Sequence, residues 1–441
     1  MSRLRSATLW AIRYGLPGMA VRAAARRGDL IARLTADEAL REDPFDAYDQ
    51  LRARGPVVTN RFLSATATHR TASEVLRSDK FVASAGAGPN RLLDRVLTAA
   101  VDPKALGPVD PPSLLVVQPP QHTRLRKLVS RTFTPRAVNH LTGRMREVAD
   151  DLLDRIPEGE PFDLVEAYAA PLPVMVISEI LGVPTTMQDE FLRWGNEAAA
   201  TLDPGLRWRA FWRADAALRD LNAWFENHLA HLRRDPGDDL LSKLVHDGVD
   251  NGDRLTDTEL RATGLLLLGA GFETTVNLIG NAVRLLLDHP EQLAALRADP
   301  SGWANAVEEV LRYDSPVQVT LRVASEDIDL AGQRLPQGRA VITMLGGANR
   351  DPAVFSDPHT FDITRPNARE HLAFSAGIHY CLGAQLARLE ASIALQALFE
   401  RFDGLSLAGS PTRRGTRVLR GYTELPLRTN KKAASAATKG T

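Results

Sequence analysis

One cysteine stands in the whole chain, Cys381, within Phe374-Ser375-Ala376-Gly377-Ile378-His379-Tyr380-Cys381-Leu382-Gly383. No internal disulfide can staple such a chain, so its stability has to come from a buried apolar core. A lone cysteine set in a core is ordinarily a small hydrophobe. This one has a different setting. Glycines at 377 and 383 allow tight turns on both sides of the sulfur, leaving peptide N–H groups free to face a thiolate. Ala384-Gln385-Leu386-Ala387-Arg388-Leu389-Glu390 then reads as a helix start, whose dipole is positive at that end. A thiolate fixed in such a loop suits a metal ligand better than a nucleophile.

The loop resembles the haem-binding loop of the cytochrome P-450 superfamily, Phe-Gly-x-Gly-x-His/Arg-x-Cys-x-Gly. Every position agrees except Ser375, where the family usually has its first glycine, and the serine is expected to be tolerated. The resemblance implies that Cys381 ligates the iron of haem b, with Phe374, His379 and Gly383 among the cofactor-binding residues. It implies a mainly α fold with a small β-sheet region, one large domain with an α-rich and a β-rich part. Residues 1–42 read as an N-terminal extension of short helices, 43–428 as the haem domain and 429–441 as a disordered basic tail. The likeness runs from about Asp43 to Pro426 and is nearest to soluble bacterial members of actinobacterial and mycobacterial type.

The chain has 441 residues, 44% of them hydrophobic, enough for a large core, and no linker or repeat divides it. Lys+Arg and Asp+Glu number 54 each, so a nucleic-acid partner is not indicated. A single cysteine fits a reducing compartment, the cytoplasm. Ala7 to Ile12 is apolar, but Arg13, Gly15, Pro17 and Gly18 follow, well short of the ~20 apolar residues of a membrane span. It also lacks the apolar centre of a secretory signal. A short helix resting on the protein or on a membrane surface fits this segment.

Apolar residues at helical spacing predict helices over Pro135–Ile156, Met187–Leu202, Ala210–Leu232 and Thr256–Leu268. Short strand patterns lie in Val57–Thr68, Val319–Val323 and Ala340–Met344. Ser84 to Pro120, rich in Gly, Pro and Ala, reads as a long loop and a candidate lid.

Ala262 to Leu287 is the most hydrophobic stretch, yet Glu273 and Arg284 within it favour a buried core helix over a span. Inside it, Ala270 and Thr274 share a face, with Glu273 beside them and Gly271 removing bulk. A mid-helix threonine can simply bond the carbonyl four residues back. The hexapeptide Ala270-Gly271-Phe272-Glu273-Thr274-Thr275 also resembles the family's oxygen-binding helix. That resemblance makes Thr274 a hydrogen-bonding partner for dioxygen or an ordered water, and Glu273 the link to solvent protons. Ala270 and Gly271 would face the cofactor. Cleaving O–O needs two protons delivered with bulk water kept out, which favours O2 and electrons as the oxidant supply.

Glu309 and Arg312, three apart, make an ordinary helix-surface ion pair when taken alone. They resemble the family's Glu-x-x-Arg pair, which Arg365 would complete as a structural network behind the loop. His122 and Arg126 lie four apart on a helix entered through Pro119-Pro120. They resemble the propionate-binding helix, with Gln118 and Gln121 in place of the usual acids. Arg322 and His379 match two further propionate contacts, and His371 either joins them or packs. The resemblance puts Val317, Gln318, Val319, Thr320, Val418 and Leu419 in the substrate pocket, with Leu266 to Thr274 and the loop up to Val117.

The function implied is a haem-thiolate monooxygenase acting on a hydrophobic small molecule of lipid, sterol, terpenoid or polyketide type. No flavin or iron–sulfur domain is expected, so electrons would come to a monomer from a separate ferredoxin and its NAD(P)H-dependent reductase. Arg124, Lys127 and Arg131 supply a basic strip for such a partner. A non-enzymatic haem-binding or sensor protein is the alternative, against which the acid–alcohol pair argues. A third reading makes Cys381 a nucleophile with His379 as base.

Overall fold

Thr256 opens the longest helix, which runs unbroken through 32 residues from Asp257 to Asp288, about 48 Å. Its start is set by reciprocal capping: Thr256 Oγ1 accepts from the Glu259 N–H, and Glu259 Oε2 accepts from the Thr256 N–H. Gln121 and Arg124 bond the same carboxylate, which ties the helix Gln121–Ser130 to this cap. The most apolar window of the long helix is 67% buried inside the protein. Helices Pro171–Leu181, Gln188–Ala199, Trp208–Leu232 and Ala384–Arg401 pack around it. It is the axis of the main core, where Tyr168, Phe225, Phe272 and Leu398 are fully buried.

The computed structural model describes residues 3–83, 102, 104–131, 133–246 and 254–429. The architecture is mainly helical with a small β region, as the sequence led us to expect. The helix expected over Pro135–Ile156 is two, Pro135–His140 capped by Thr134 and Thr142–Leu153. Most of the expected lid, residues 84–101 and 103, lies outside the described residues, as do residues 430–441 of the expected tail. From 104 to 120 the chain makes turns. Thr429, expected in the tail, instead ends the strand Pro426–Thr429 and pairs with Leu405.

The larger sheet has five strands in the order Val58–Thr59, Ser64–Thr66, Ala340–Met344, Val319–Ala324, Phe81–Val82. Only the pair Ser64–Thr66 with Ala340–Met344 is parallel in this sheet. The two-residue period of a strand puts Thr320 and Arg322 on one face and Val319 on the other. Val319 packs against a core cluster that contains Leu30, Ile31, Leu34, Phe45 and Met344, so the helix Leu30–Ala36 shares a core with the sheet. A three-stranded sheet joins Pro161–Asp163, Pro426–Thr429 and Leu405–Leu407.

Candidate active site

The Cys381 loop is held by backbone. The Cys381 N–H donates to the Phe374 carbonyl at 3.0 Å, and Ser375 N–H to Leu372 at 2.8 Å. Gly377 has φ +70°, and a Cβ there would fall 2.3 Å from the Leu76 carbonyl oxygen. Only glycine lets the loop press on the end of the helix His69–Arg77. Ser375 has φ +62°, so the position does need a left-handed backbone and the serine there is strained. Its buried Oγ has no hydrogen-bond partner. Gly383 corrects the expectation of a glycine turn on both sides: its φ is −87°, within reach of any residue. It is the N-cap of Ala384–Arg401, and its N–H points at the Cys381 sulfur. That sulfur is crowded by protein atoms yet reached by solvent, as at the floor of a cleft. Burial pushes the Cys381 thiol up, while the Gly383 N–H, Arg126 and Arg388 favour the thiolate.

Four basic side chains converge beside this loop. The His122 and His379 rings meet edge to face with centroids 4.6 Å apart. Arg126 Nη2 donates to the Tyr380 carbonyl at 2.7 Å. Arg322 is buried, and Nη1 bonds Thr320 Oγ1 at 3.0 Å and the Leu321 carbonyl at 2.8 Å. Burial, then the neighbouring Arg322, His122 and Arg126, hold His379 down to about 3. Burial likewise lowers Arg322 to about 10 and keeps His122 below the usual imidazole range. No carboxylate pairs with any of the four among the described residues. Nε2 of His122 and of His379 are buried without a partner. A buried guanidinium beside a second one, with two buried imidazoles held neutral and no counter-charge, is costly unless an anion completes the set. The cluster fits a group bearing two carboxylates.

Behind the loop, Glu309 and Arg312 are fully buried and paired through two bonds of 2.7 and 2.8 Å. Arg365 Nε reaches the same carboxylate at 3.2 Å, and the Asp362 N–H donates to it at 2.9 Å. The free N–H groups of both arginines bond carbonyls of Asn349, Ser356, Asp357, Pro358 and Thr360. The structure thus joins Glu309, Arg312 and Arg365 into one clamp on the chain leading to the loop. Glu308, which the sequence reading passed over, makes a second clamp. It accepts from Arg388 Nε at 2.9 Å and pairs with His371 Nε2 at 3.0 Å. His371 is therefore spent on Glu308 and does not join the basic cluster. Arg388 lies over the Phe374 ring at 4.5 Å and donates to Tyr380 Oη at 3.1 Å.

On the long helix, Ala270 is exposed although its neighbours in sequence are partly or wholly buried, so a cleft opens against the middle of a core helix. Thr274 Oγ1 donates to the Ala270 carbonyl at 3.0 Å and keeps its lone pairs for a further donor. Gly271 does not face the cleft: a Cβ there would lie 3.0 Å from Ile177, so it makes room for a helix. Gly269, whose Cβ would meet nothing, is the glycine beside open space. Glu273 is buried, not open to solvent, and Oε2 lies 3.0 Å from Arg414 Nη1. Burial raises its pKa and Arg414 opposes this.

The cytochrome P450 family pattern matches residues 103–300 and 304–414. The chain belongs to the cytochrome P450 family. Cytochrome P450 140 of Mycobacterium tuberculosis is 50% identical over 409 residues, covering 91% of this chain and 92% of its own. The 6-deoxyerythronolide B hydroxylase of Saccharopolyspora erythraea is 46% identical over 313 residues, 70% of this chain and 76% of its own. The ligand-free crystal structure of Mycobacterium smegmatis CYP164A2 superposes with a TM-score of 0.82 at 38% identity, covering 91% of this chain and 99% of the other. A P450 is a haem-thiolate oxidoreductase, and its cofactor is haem b held by a cysteine.

Several pocket expectations for this P450 need correction. Gln318 is buried, bonded to the Ser315 carbonyl at 2.7 Å and to Tyr48 Oη at 3.2 Å, so it braces the backbone. Val319 points to the opposite face of its strand, as described above. Leu419 is buried and bridges Val317, while the Gln318 N–H bonds the Val418 carbonyl at 2.9 Å. That joins the two segments and leaves Val317, Thr320 and Val418 partly open. The basic strip changes too, since Arg124 is committed to Glu259 and the Arg254 carbonyl. Arg414, Glu308 and Arg388 carried no local signal, because their partners are distant in sequence.

Proposed function

We propose that this P450 monooxygenase inserts one atom of O2 into a hydrophobic small molecule in the cytoplasm, as a monomer reduced by a ferredoxin and its NAD(P)H-dependent reductase. The observation that carries the assignment of residues is the uncompensated basic cluster beside the only cysteine. His122, Arg126, Arg322 and His379 would bind the two propionates of haem b, and Cys381 would be its thiolate ligand. When bound, the cofactor would supply dioxygen activation, and electron density from the Cys381 thiolate would favour O–O cleavage.

The chain's own residues do the rest. The Gly383 N–H and the Arg126 and Arg388 guanidiniums hold negative charge at Cys381 Sγ. The Glu309 and Glu308 clamps fix the loop so that this charge stays in place. Ala270 leaves one side of the long helix bare, and Thr274 Oγ1 offers lone pairs at the same turn. Glu273 would pass protons through its carboxyl, and Arg414, which pairs with it and also bonds Asn196 Oδ1 at 3.0 Å, connects it toward the surface. Val317, Thr320, Val418 and the partly open Leu266 and Leu267 give the cleft its apolar lining, which supports a lipid-, sterol-, terpenoid- or polyketide-like substrate. The relative named as a 6-deoxyerythronolide B hydroxylase supports hydroxylation as the reaction.

In the reduced protein under carbon monoxide, wild type should show the red-shifted absorption band of thiolate ligation, and Cys381→Ser should lose it while remaining folded. A Cys381→Ser protein that keeps the band would overturn the ligand assignment. Reduction by a ferredoxin should slow as salt rises, because attraction between exposed charges is screened beyond ~8 Å near physiological ionic strength. Salt-independent reduction would remove the basic face around Lys127 and Arg131 as its docking site.

A further inference from the structure

The first 28 residues hold six arginines and no acidic residue in a chain whose net charge is zero. Their helices are fastened to the body by one face. Trp10 Nε1 donates to the Leu206 carbonyl at 2.8 Å, Tyr14 Oη to Thr201 at 3.1 Å, and Arg13 Nη2 to Asp110 at 2.7 Å. Leu9, Tyr14 and Phe211 form a small core there. A Cβ on Gly18 would lie 2.9 Å from Gly205 Cα, so Leu16–Arg26 sits directly on the connector before Trp208–Leu232. These contacts fix which face of the helix looks outward.

That outward face is two-part. Leu16 is 60% and Met19 54% exposed, one helical turn apart, and Arg22, Arg26 and Arg27 follow toward the other end. No carboxylate pairs with these three arginines among the described residues. An edge-to-face and then a tilted contact lead from Trp10 through Trp208 to Trp212, which is 44% exposed. Arg207 and Arg209 beside it are exposed, and the one acid of residues 200–214, Asp203, is buried under the Arg417 and Val418 N–H groups. Exposed leucine, methionine and tryptophan framed by unpaired arginines match the depth profile of a lipid interface. Apolar side chains and an indole enter the acyl boundary, and guanidiniums meet anionic headgroups.

We infer that this face, made by Leu16–Arg26 and the start of Trp208–Leu232, docks the enzyme on an anionic membrane surface. The inference is independent of the proposed substrate class.

The test uses the full-length, haem-loaded protein and co-sedimentation with vesicles of phosphatidylcholine alone or mixed with phosphatidylglycerol. Binding should require phosphatidylglycerol and be lost at high salt. Arg22→Glu/Arg26→Glu should weaken it about ten-fold or more. Leu16→Asp/Met19→Asp should also weaken it, with the carbon monoxide band of both variants unchanged as proof of folding. No retention on the mixed vesicles at low salt would overturn the inference, as would variants that bind like wild type. A concentration-dependent dimer in light scattering that Leu16→Asp/Met19→Asp abolishes, without vesicle binding, would assign the face to a second copy and equally overturn it.

Discussion

Arg414 Nη1 stands 3.0 Å from Glu273 Oε2, joining the buried middle of the long helix to the segment that follows the strand Thr412–Arg413. The same guanidinium donates to Asn277 Oδ1 at 2.8 Å and to Asn196 Oδ1 at 3.0 Å. One side chain thus spans from a buried acid to the edge of the helix Gln188–Ala199. The contact fixes the C-terminal segment, and under the proposed role of Glu273 it would also serve proton supply to the cleft.

Removing the arginine leaves a buried carboxyl without its counter-charge. Arg414→Ala should cost about 3 kcal/mol, read from denaturant unfolding. Adding Glu273→Gln should restore part of that loss, because the charge left behind disappears. Additive effects in the double variant would show that the two side chains are not coupled.

Thr274→Ala should fold, bind haem and consume NAD(P)H through its redox partners, losing only about 1 kcal/mol with its hydroxyl. What should fall is coupling, seen as more hydrogen peroxide and less product per NAD(P)H. The bond from Thr274 Oγ1 to the Ala270 carbonyl gives the competing outcome. Coupling equal to wild type would leave that hydroxyl as a helix-bending group alone.

How much could be read from sequence depended on how local each interaction was. The Cys381 loop and the pair Glu309–Arg312 are written within a few residues, so their resemblance to family motifs could be recognised, although spacing alone made the pair an ordinary surface contact. Arg322 was placed by resemblance alone, and the alternation of its strand, which sets Arg322 on one face, turned Val319 to the other. Gly271 was misread because a missing side chain says that something comes close, not what; here it is Ile177. Arg414 and Glu308 gain their meaning from partners brought in by folding, and no pattern in their own neighbourhoods marks them.

Ser375 offers a test of strain in the loop. Its φ of +62° and its unpartnered buried Oγ both act against the folded state. Ser375→Gly should stabilise the protein by about 1–2 kcal/mol, the cost of a left-handed non-glycine residue. The thermal midpoint should rise by about 1–2 °C for a chain of this size. An unchanged or lowered midpoint would mean that the added unfolded-state freedom of glycine outweighs the strain.

Glu390 gives the pH dependence a distinct sign. It lies on Ala384–Arg401, the helix that leaves the cysteine loop, packed against Thr142–Leu153, Asp257–Asp288 and Trp303–Tyr313. Its carboxyl is buried, Oε1 has no partner, and burial alone raises its pKa from 4.5 to about 8. In the unfolded chain the group ionises at the ordinary value, while the folded protein keeps the proton. Between about pH 4.5 and pH 8 the unfolded state therefore binds fewer protons, and this residue's contribution to stability falls as pH rises. The loss is on the order of a few kcal/mol across that window. Glu390→Gln, which keeps shape and cannot ionise, should match wild type near the acid end and exceed it near the alkaline end. Denaturant unfolding at both ends measures the difference. A gap between variant and wild type that does not widen with pH would show that Glu390 is ionised in the folded protein and has found a cation.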